Sequence, residues 1–197
     1  MTRQTSKPLV SYDMHAMNRE AYGYVIAANE GELILDLPYQ RGSVWNLDQH
    51  IALVRSWLTG VPIAAVIVNV RRSRWWTDTD VFDPRSDEPA SDAVIDGQQR
   101  IRTTLAWFAG EFAVPASWFD PEMVAATEDT DDGPYVRYTG LTRTGQTWFK
   151  RHAKLPYIEA KVATLREEAE IFGLVNGGGT PQTDDDMANA RRVAEGA

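Results

Sequence analysis

The stretch AVIDGQQRIRTTLAWFAG, residues 93–110, decides how this chain reads. Ala93 to Ile95 predict a short strand, which an Asp-Gly pair ends. Beyond it Ile101, Leu105 and Phe108 recur at helical spacing. A helix is therefore predicted from about Gln98 to Ala109, with Gly110 as its stop. Between strand and helix stand Asp96, Gly97, Gln98, Gln99 and Arg100. A glycine at such a turn lets backbone approach a ligand closely. The first turn of a helix offers unpaired N–H groups and a partial positive charge, which suit an anion. Arg100 adds a planar fork of donors matched to phosphate oxygens. Gln98 and Gln99 both donate and accept, so they suit a phosphate, a base edge or a water. Asp96 suits a Mg²⁺ ion or a proton. The plainer reading of the same residues makes Asp96 a helix cap and Arg100 a surface cation.

Working outward, ELILDL (32–37) alternates as a half-buried strand does, and PYQRGSVW (38–45) follows as a loop. Asn46 with Gln49 forms a capping box for a helix whose apolar face carries Ile51, Val54 and Leu58; Gly60-Val61-Pro62 ends it. IAAVIVNV (63–70) is a continuous apolar run rich in β-branched residues, the pattern of a buried strand. Residues 77–92 have the composition of a surface loop, and residues 115–134 read as irregular and acidic. YVRYTG (135–140) and LPYIEAKV (155–162) predict strands, and TGQTWFKRHA (144–153) a short helix. Thr164 with Glu167 caps a helix reaching Val175, and Thr183 with Asp186 caps a last one. A weakly helical stretch is predicted over 18–29, after a loose arm over residues 1–14. Strands and helices mix without regular βαβ alternation. The expected class is α+β, a mixed sheet flanked by helices, in one domain over 15–197.

Composition narrows the function. The chain has 197 residues, 43% of them apolar, enough for one domain with a real core. There is no cysteine, which excludes disulfides and thiolate zinc sites. No apolar run reaches the roughly 18 residues of a membrane span, and the N-terminus lacks a signal-peptide core, so a cytoplasmic location without membrane contact is expected. The net charge of −8 and pI near 4.9 oppose a protein whose main task is coating nucleic acid. RRSRWW (71–76) mixes cations with aromatics. It either faces a nucleic acid or base, or is a strand end with two partly buried tryptophans. EDTDD (128–132) reads as a solvated loop. His15, His50 and His152 lack metal-ligand spacing and are expected to be structural.

Two further constellations bear on a nucleotide. PYQRGSVW places Gln40 and Arg41 between the flat faces of Tyr39 and Trp45, with charge for phosphate and a ring for a base. NGGGTP (176–181) offers Asn176, Gly178 and Thr180 in a loop able to present bare N–H groups, although glycines after a helix also serve as C-caps.

Together these motifs resemble the N-terminal domain of the GmrSD-type restriction endonucleases, within the ParB/sulfiredoxin-like superfamily. The matching stretches are LPYQRGSVWNLDQ, GVPIAAVIV, VIDGQQRIRTTL and FGLVNGGGTPQT, in family order over about residues 33–183. The resemblance implies a nucleotide-binding, often nucleotide-hydrolysing domain that regulates cleavage of modified DNA in restriction and phage defence. It carries the family's DGQQR onto Asp96 to Arg100, its Gln-Arg pair onto Gln40 and Arg41, and its loop asparagine onto Asn176. Two departures stand out. Leu174 replaces the arginine or lysine common two residues before that asparagine, and no C-terminal HNH-type nuclease motif follows. Three functions are therefore expected in order. The first is a Mg²⁺-dependent NTPase in which Arg100 and Arg41 hold phosphates, Gln98 or Gln99 orients water, and Asp96 places the metal. The second is a ParB-like DNA nuclease, and the third a non-catalytic sensor or decoy that binds a restriction complex or a nuclease partner.

Overall fold

A computed structural model describes residues 11–40 and 45–177. Its centre is the apolar run read above, paired as the strand β3 (Val66–Val70). Beside it lie β1 (Met14–Met17), β2 (Leu33–Ile34), β4 (Asp92–Asp96) and β8 (Tyr157–Ala160), in the order β1-β8-β3-β4-β2. β3 runs parallel to β8 and antiparallel to β4, while β2 is parallel to β4 and β1 antiparallel to β8. A second, antiparallel sheet is built from β5 (Ala113–Pro115), β6 (Glu128–Thr130) and β7 (Gly133–Arg137), with β7 central. The helices are α1 (Tyr22–Asn29), α2 (Leu47–Thr59), α3 (Gln98–Ala109), α4 (Arg143–His152) and α5 (Leu165–Gly177). The class is α+β, a mixed sheet flanked by helices, as expected. No helix among the described residues is long and apolar enough to cross a membrane.

β3 is apolar on both faces because both are covered. Successive side chains alternate across a strand. Val66, Val68 and Val94 face one core with Leu53, Trp57, Ile101, Trp107 and Phe149 from α2, α3 and α4. Ile67 and Ile95 face a second, smaller core with Ala160, Val162 and Ile171 of α5. The capping boxes form as read. The Asn46 side chain accepts from Gln49 N at 3.0 Å, and Glu167 Oε2 accepts from Thr164 N at 3.2 Å. Gly60 and Gly110 end α2 and α3 in the left-handed conformation.

Four expectations are corrected. Residues 14–17 pair with β8 as an edge strand, and the helix predicted over 18–29 begins only at Tyr22, because Glu20 bridges to Lys154. The strand predicted over 32–37 pairs only at Leu33 and Ile34, because the chain leaves the sheet for a turn closed by Gln40 N donating to Leu37 O at 3.0 Å. Residues 115–134 are more ordered than their composition predicts: Glu128 lies in β6, where its carboxylate pairs with Arg137 at 2.9 Å. In RRSRWW, Arg71 and Trp76 are buried while Trp75 is 42% exposed, so only one of its two tryptophans is interior. Residues 1–10 of the expected arm and the helix expected after Thr183 lie outside the described residues.

One half-buried carboxylate in this sheet gives a pH prediction. Burial raises the Asp92 carboxyl above its ordinary range, opposed by a hydrogen bond from Ser91 Oγ at 3.2 Å. A raised folded pKa means that the native state holds the proton more tightly than the unfolded chain. This contribution is full below the ordinary carboxylate value and is lost as pH rises through the raised one. Asp92→Asn is expected to flatten that decline, measured as urea midpoints from about pH 4 to about 7. An unchanged slope would refute the assignment.

Candidate functional site

The turn between β4 and α3 is shaped by three local devices. The ladder slips between Ile67 and Val68: Val68 pairs with Val94, but Ile67 pairs with Asp96, leaving Ile95 as an extra residue. Such a bulge bends a strand and re-aims the side chain that follows. The Gln40 amide fits the irregularity. Its Nε2 donates to Val94 O at 2.7 Å and to Ile95 O at 2.9 Å, and its Oε1 accepts from Leu37 N at 3.3 Å. Gly97 then turns the chain at φ 96°, where a Cβ would stand 2.9 Å from Val66 Cγ2 and 3.1 Å from Val66 Cα. Only glycine meets both demands.

α3 starts directly after Gly97, and no described side chain caps it. The N–H groups of its first turn therefore face outward with their dipole. Arg100 folds back beneath this turn. Its Nη2 donates to Asp96 Oδ2 at 2.6 Å and to Ala65 O at 3.1 Å, while its Nε is buried without a partner. Both side chains of the pair are mostly shielded, 16% exposed for Arg100 and 22% for Asp96. Asp96 is thus the partner of Arg100 rather than the cap of α3, and Arg100 is no surface cation.

A cleft of about 660 Å³ opens over this turn. Asp96, Gly97, Gln98, Gln99 and Arg100 form one wall, Phe172, Gly173 and Asn176 of α5 the other, and Tyr39 and Trp45 complete the lining. Gln99 Oε1 accepts from Trp45 N at 3.3 Å and so ties Trp45 to α3. The Tyr39 ring lies 5.5 Å from that of Phe172, and its hydroxyl donates to Glu168 Oε2 at 3.4 Å. Burial, reinforced by Glu168, raises the Tyr39 hydroxyl above its ordinary value, so it stays protonated. Asn176 Nδ2 donates to Phe172 O at 3.0 Å within its own helix.

Most sequence-chosen residues described here thus meet in one place, although they come from three separate parts of the chain. Gln40 is the exception: its amide is spent on the β4 bulge and it does not line the cleft. Arg41, Gly178 and Thr180 lie outside the described residues. Leu174 is 68% exposed and is not part of the lining.

The sequence reading missed what holds α5 in place. Glu168 is fully buried. Its Oε1 accepts from Arg71 Nε at 2.9 Å and from Asn69 Nδ2 at 2.9 Å, and its Oε2 from Arg71 Nη2 at 2.6 Å. Arg71 also stacks over Trp76 at 4.9 Å. A signal was present. Asn69 and Arg71 follow Ile67 at alternate positions, and Glu168 stands three residues before the buried Ile171 on the same helix. Charge on an apolar face calls for a buried partner. His50 is a second structural member. Its Nδ1 lies 2.6 Å from Thr103 Oγ1, whose hydroxyl donates to Gln99 O at 2.8 Å. The Thr103 proton is therefore committed to Gln99, so His50 Nδ1 is the donor.

Fold and cleft define an α+β domain with a glycine turn between a strand and a helix whose start has no side-chain cap among the described residues, faced by aromatic rings. A family model described as the N-terminal domain of GmrSD restriction endonuclease matches residues 25–192, and the chain belongs to that family. Comparison with curated proteins and with solved structures found no match. Membership relates the chain to restriction endonucleases.

Proposed function

We propose that the cleft binds a nucleoside triphosphate together with Mg²⁺ and hydrolyses it, as a regulatory step in restriction. The observation that carries this reading is the buried, unpartnered Nε of Arg100 beneath the uncapped start of α3. A guanidinium with donor capacity to spare, beside outward N–H groups, suits phosphate oxygens. Trp45, Tyr39 and Phe172 supply flat apolar surface for a base. Gln99 is engaged with Trp45, so Gln98 is the better residue to orient the attacking water. Asp96 holds Arg100 in register for the phosphates.

Among the described residues there is no cluster of three metal-ligating side chains, and Asp96 is the only carboxylate lining the cleft. One carboxylate fits Mg²⁺, which keeps much of its water and takes its remaining ligands from substrate phosphates. When bound, the ion would neutralise phosphate charge. The same single carboxylate weighs against the nuclease reading, since two-metal cleavage needs convergent acids.

The test is a binding and phosphate-release assay with a panel of nucleoside triphosphates and Mg²⁺, on wild type and Arg100→Ala. Wild-type binding and turnover are expected, with affinity at least about tenfold lower in the variant. Arg100→Lys, which keeps charge but not the fork, is expected to fall between. Binding without phosphate release would point to the sensor. Failure of every nucleotide to bind wild type would sink the proposal.

A further inference from the structure

Among the described arginines, Arg71, Arg100, Arg102, Arg137 and Arg166 are held by carboxylates. Arg19 and Arg72 donate to backbone carbonyls, and Arg55 and Arg74 lie over aromatic rings. α4 instead gathers its cations on one helix with no acid beside them. Its sequence, RTGQTWFKRH, contains three cations and no acid. Arg143 and Arg151 are exposed and, among the described residues, take part in no hydrogen bond or ion pair. They lie at i and i+8, about 80° apart around the helix and about 12 Å apart along its axis, on the same side. Trp148 lies on the same side of the helix, half-buried, with its ring stacked on His152 at 4.3 Å and 15°. Arg143, Thr144, Thr147, Trp148, Arg151 and His152 together line an open concavity of about 570 Å³.

The apolar side of α4 is already used. Phe149 is fully buried, 5.4 Å from the Trp107 ring and 5.9 Å from the Phe108 ring. The helix thus has no free apolar face with which to enter a lipid surface. What it shows to solvent is unneutralised cation at both ends of one concavity that also holds an aromatic platform, on a protein whose net charge is −8. A polyanion with flat groups complements that surface: charge for the arginines, rings for the tryptophan.

We infer that the exposed face of α4 binds single-stranded nucleic acid, with Arg143 and Arg151 on the backbone phosphates and Trp148 with His152 as a stacking platform for bases. The site is separate from the cleft. Phe149 packs at the C-terminal end of α3, whereas the cleft opens at the N-terminal end. The inference therefore does not depend on the nucleotide reading, and RRSRWW has no part in it.

The full chain is titrated into a labelled mixed-sequence DNA strand of about 20 nucleotides, followed by anisotropy from about 50 to about 200 mM salt. Salt-sensitive binding is expected. The double variant R143E/R151E is expected to weaken it at least about tenfold. The same variant should reduce the log–log salt slope by about 1.4, the value for two lost single-strand phosphate contacts. Because both arginines are exposed and unpaired, circular dichroism of the variant should match wild type. No binding at the lowest salt, or undiminished binding by the double variant, would overturn the inference. So would equally tight binding of a polyglutamate peptide, which would make the face a dock for acidic protein. Tighter binding of duplex than of single strand would remove the stacking platform and overturn it as well.

Discussion

Glu168→Ala is expected to destabilise the fold by about 3–5 kcal/mol, the range for breaking a buried ion pair from one side. The physical reason is what remains. Arg71 would keep its charge in a site where it is 4% exposed, with both carboxylate oxygens gone, and Asn69 and the Tyr39 hydroxyl would lose partners too. Urea unfolding measures the effect. The control is Arg71→Met with Glu168→Leu, which removes both charges and fills the space. It should be markedly more stable than the single variant, because the cost of a buried pair lies mostly in desolvation. A Glu168→Ala midpoint near that of wild type would refute the role given to the network. The same variant should weaken any cleft ligand, since Glu168 sets the position of α5, whose Phe172, Gly173 and Asn176 form one wall.

Gly97→Ala is expected to be the next most damaging change. Its φ of 96° costs a side-chain-bearing residue about 1–2 kcal/mol. The added Cβ would also meet Val66 at 2.9 Å and 3.1 Å, the second contact being to backbone, and Arg100 Nη2 at 3.0 Å. Overpacking in such a place adds about 1–3 kcal/mol. Val66 is fully buried at the centre of the sheet and cannot yield easily. The expected readout is a lower urea midpoint, with loss of ligand binding even below the transition, because relief of the clash must move the start of α3 or the Arg100 head. Wild-type stability in this variant would mean that the turn relaxes freely and is not what shapes the site.

These two residues mark how far the site was legible beforehand. Gly97 could be read because its signal is local: an apolar run, an Asp-Gly pair and a helical period lie within one short stretch. The capping boxes at Asn46 and Thr164 were legible for the same reason, since each partner stands three residues from its cap. Glu168 was not, because its partners are 97 and 99 residues away. Gln40 was read as a ligand-binding residue, and its type did suit that task. Its placement against the Val94 and Ile95 carbonyls depends on a bulge that no pattern in residues 37–45 announces.

By itself, then, the order of residues determined the class of fold, the buried strand at its centre, the strand-to-helix turn at Asp96–Arg100 and the family to which the chain belongs. Each follows from short-range periodicity, turn chemistry or a contiguous motif, which act within a few residues. Only the tertiary structure decided that Asp96 turns back to hold Arg100, that α5 forms the far wall through Arg71 and Glu168, and that α4 keeps its arginines unpaired while Arg71 and Arg72 of RRSRWW are engaged within the fold. Those outcomes depend on which buried charges meet across the sheet. Such pairing is set by the register of strands and the docking of helices, where desolvation makes every partner count.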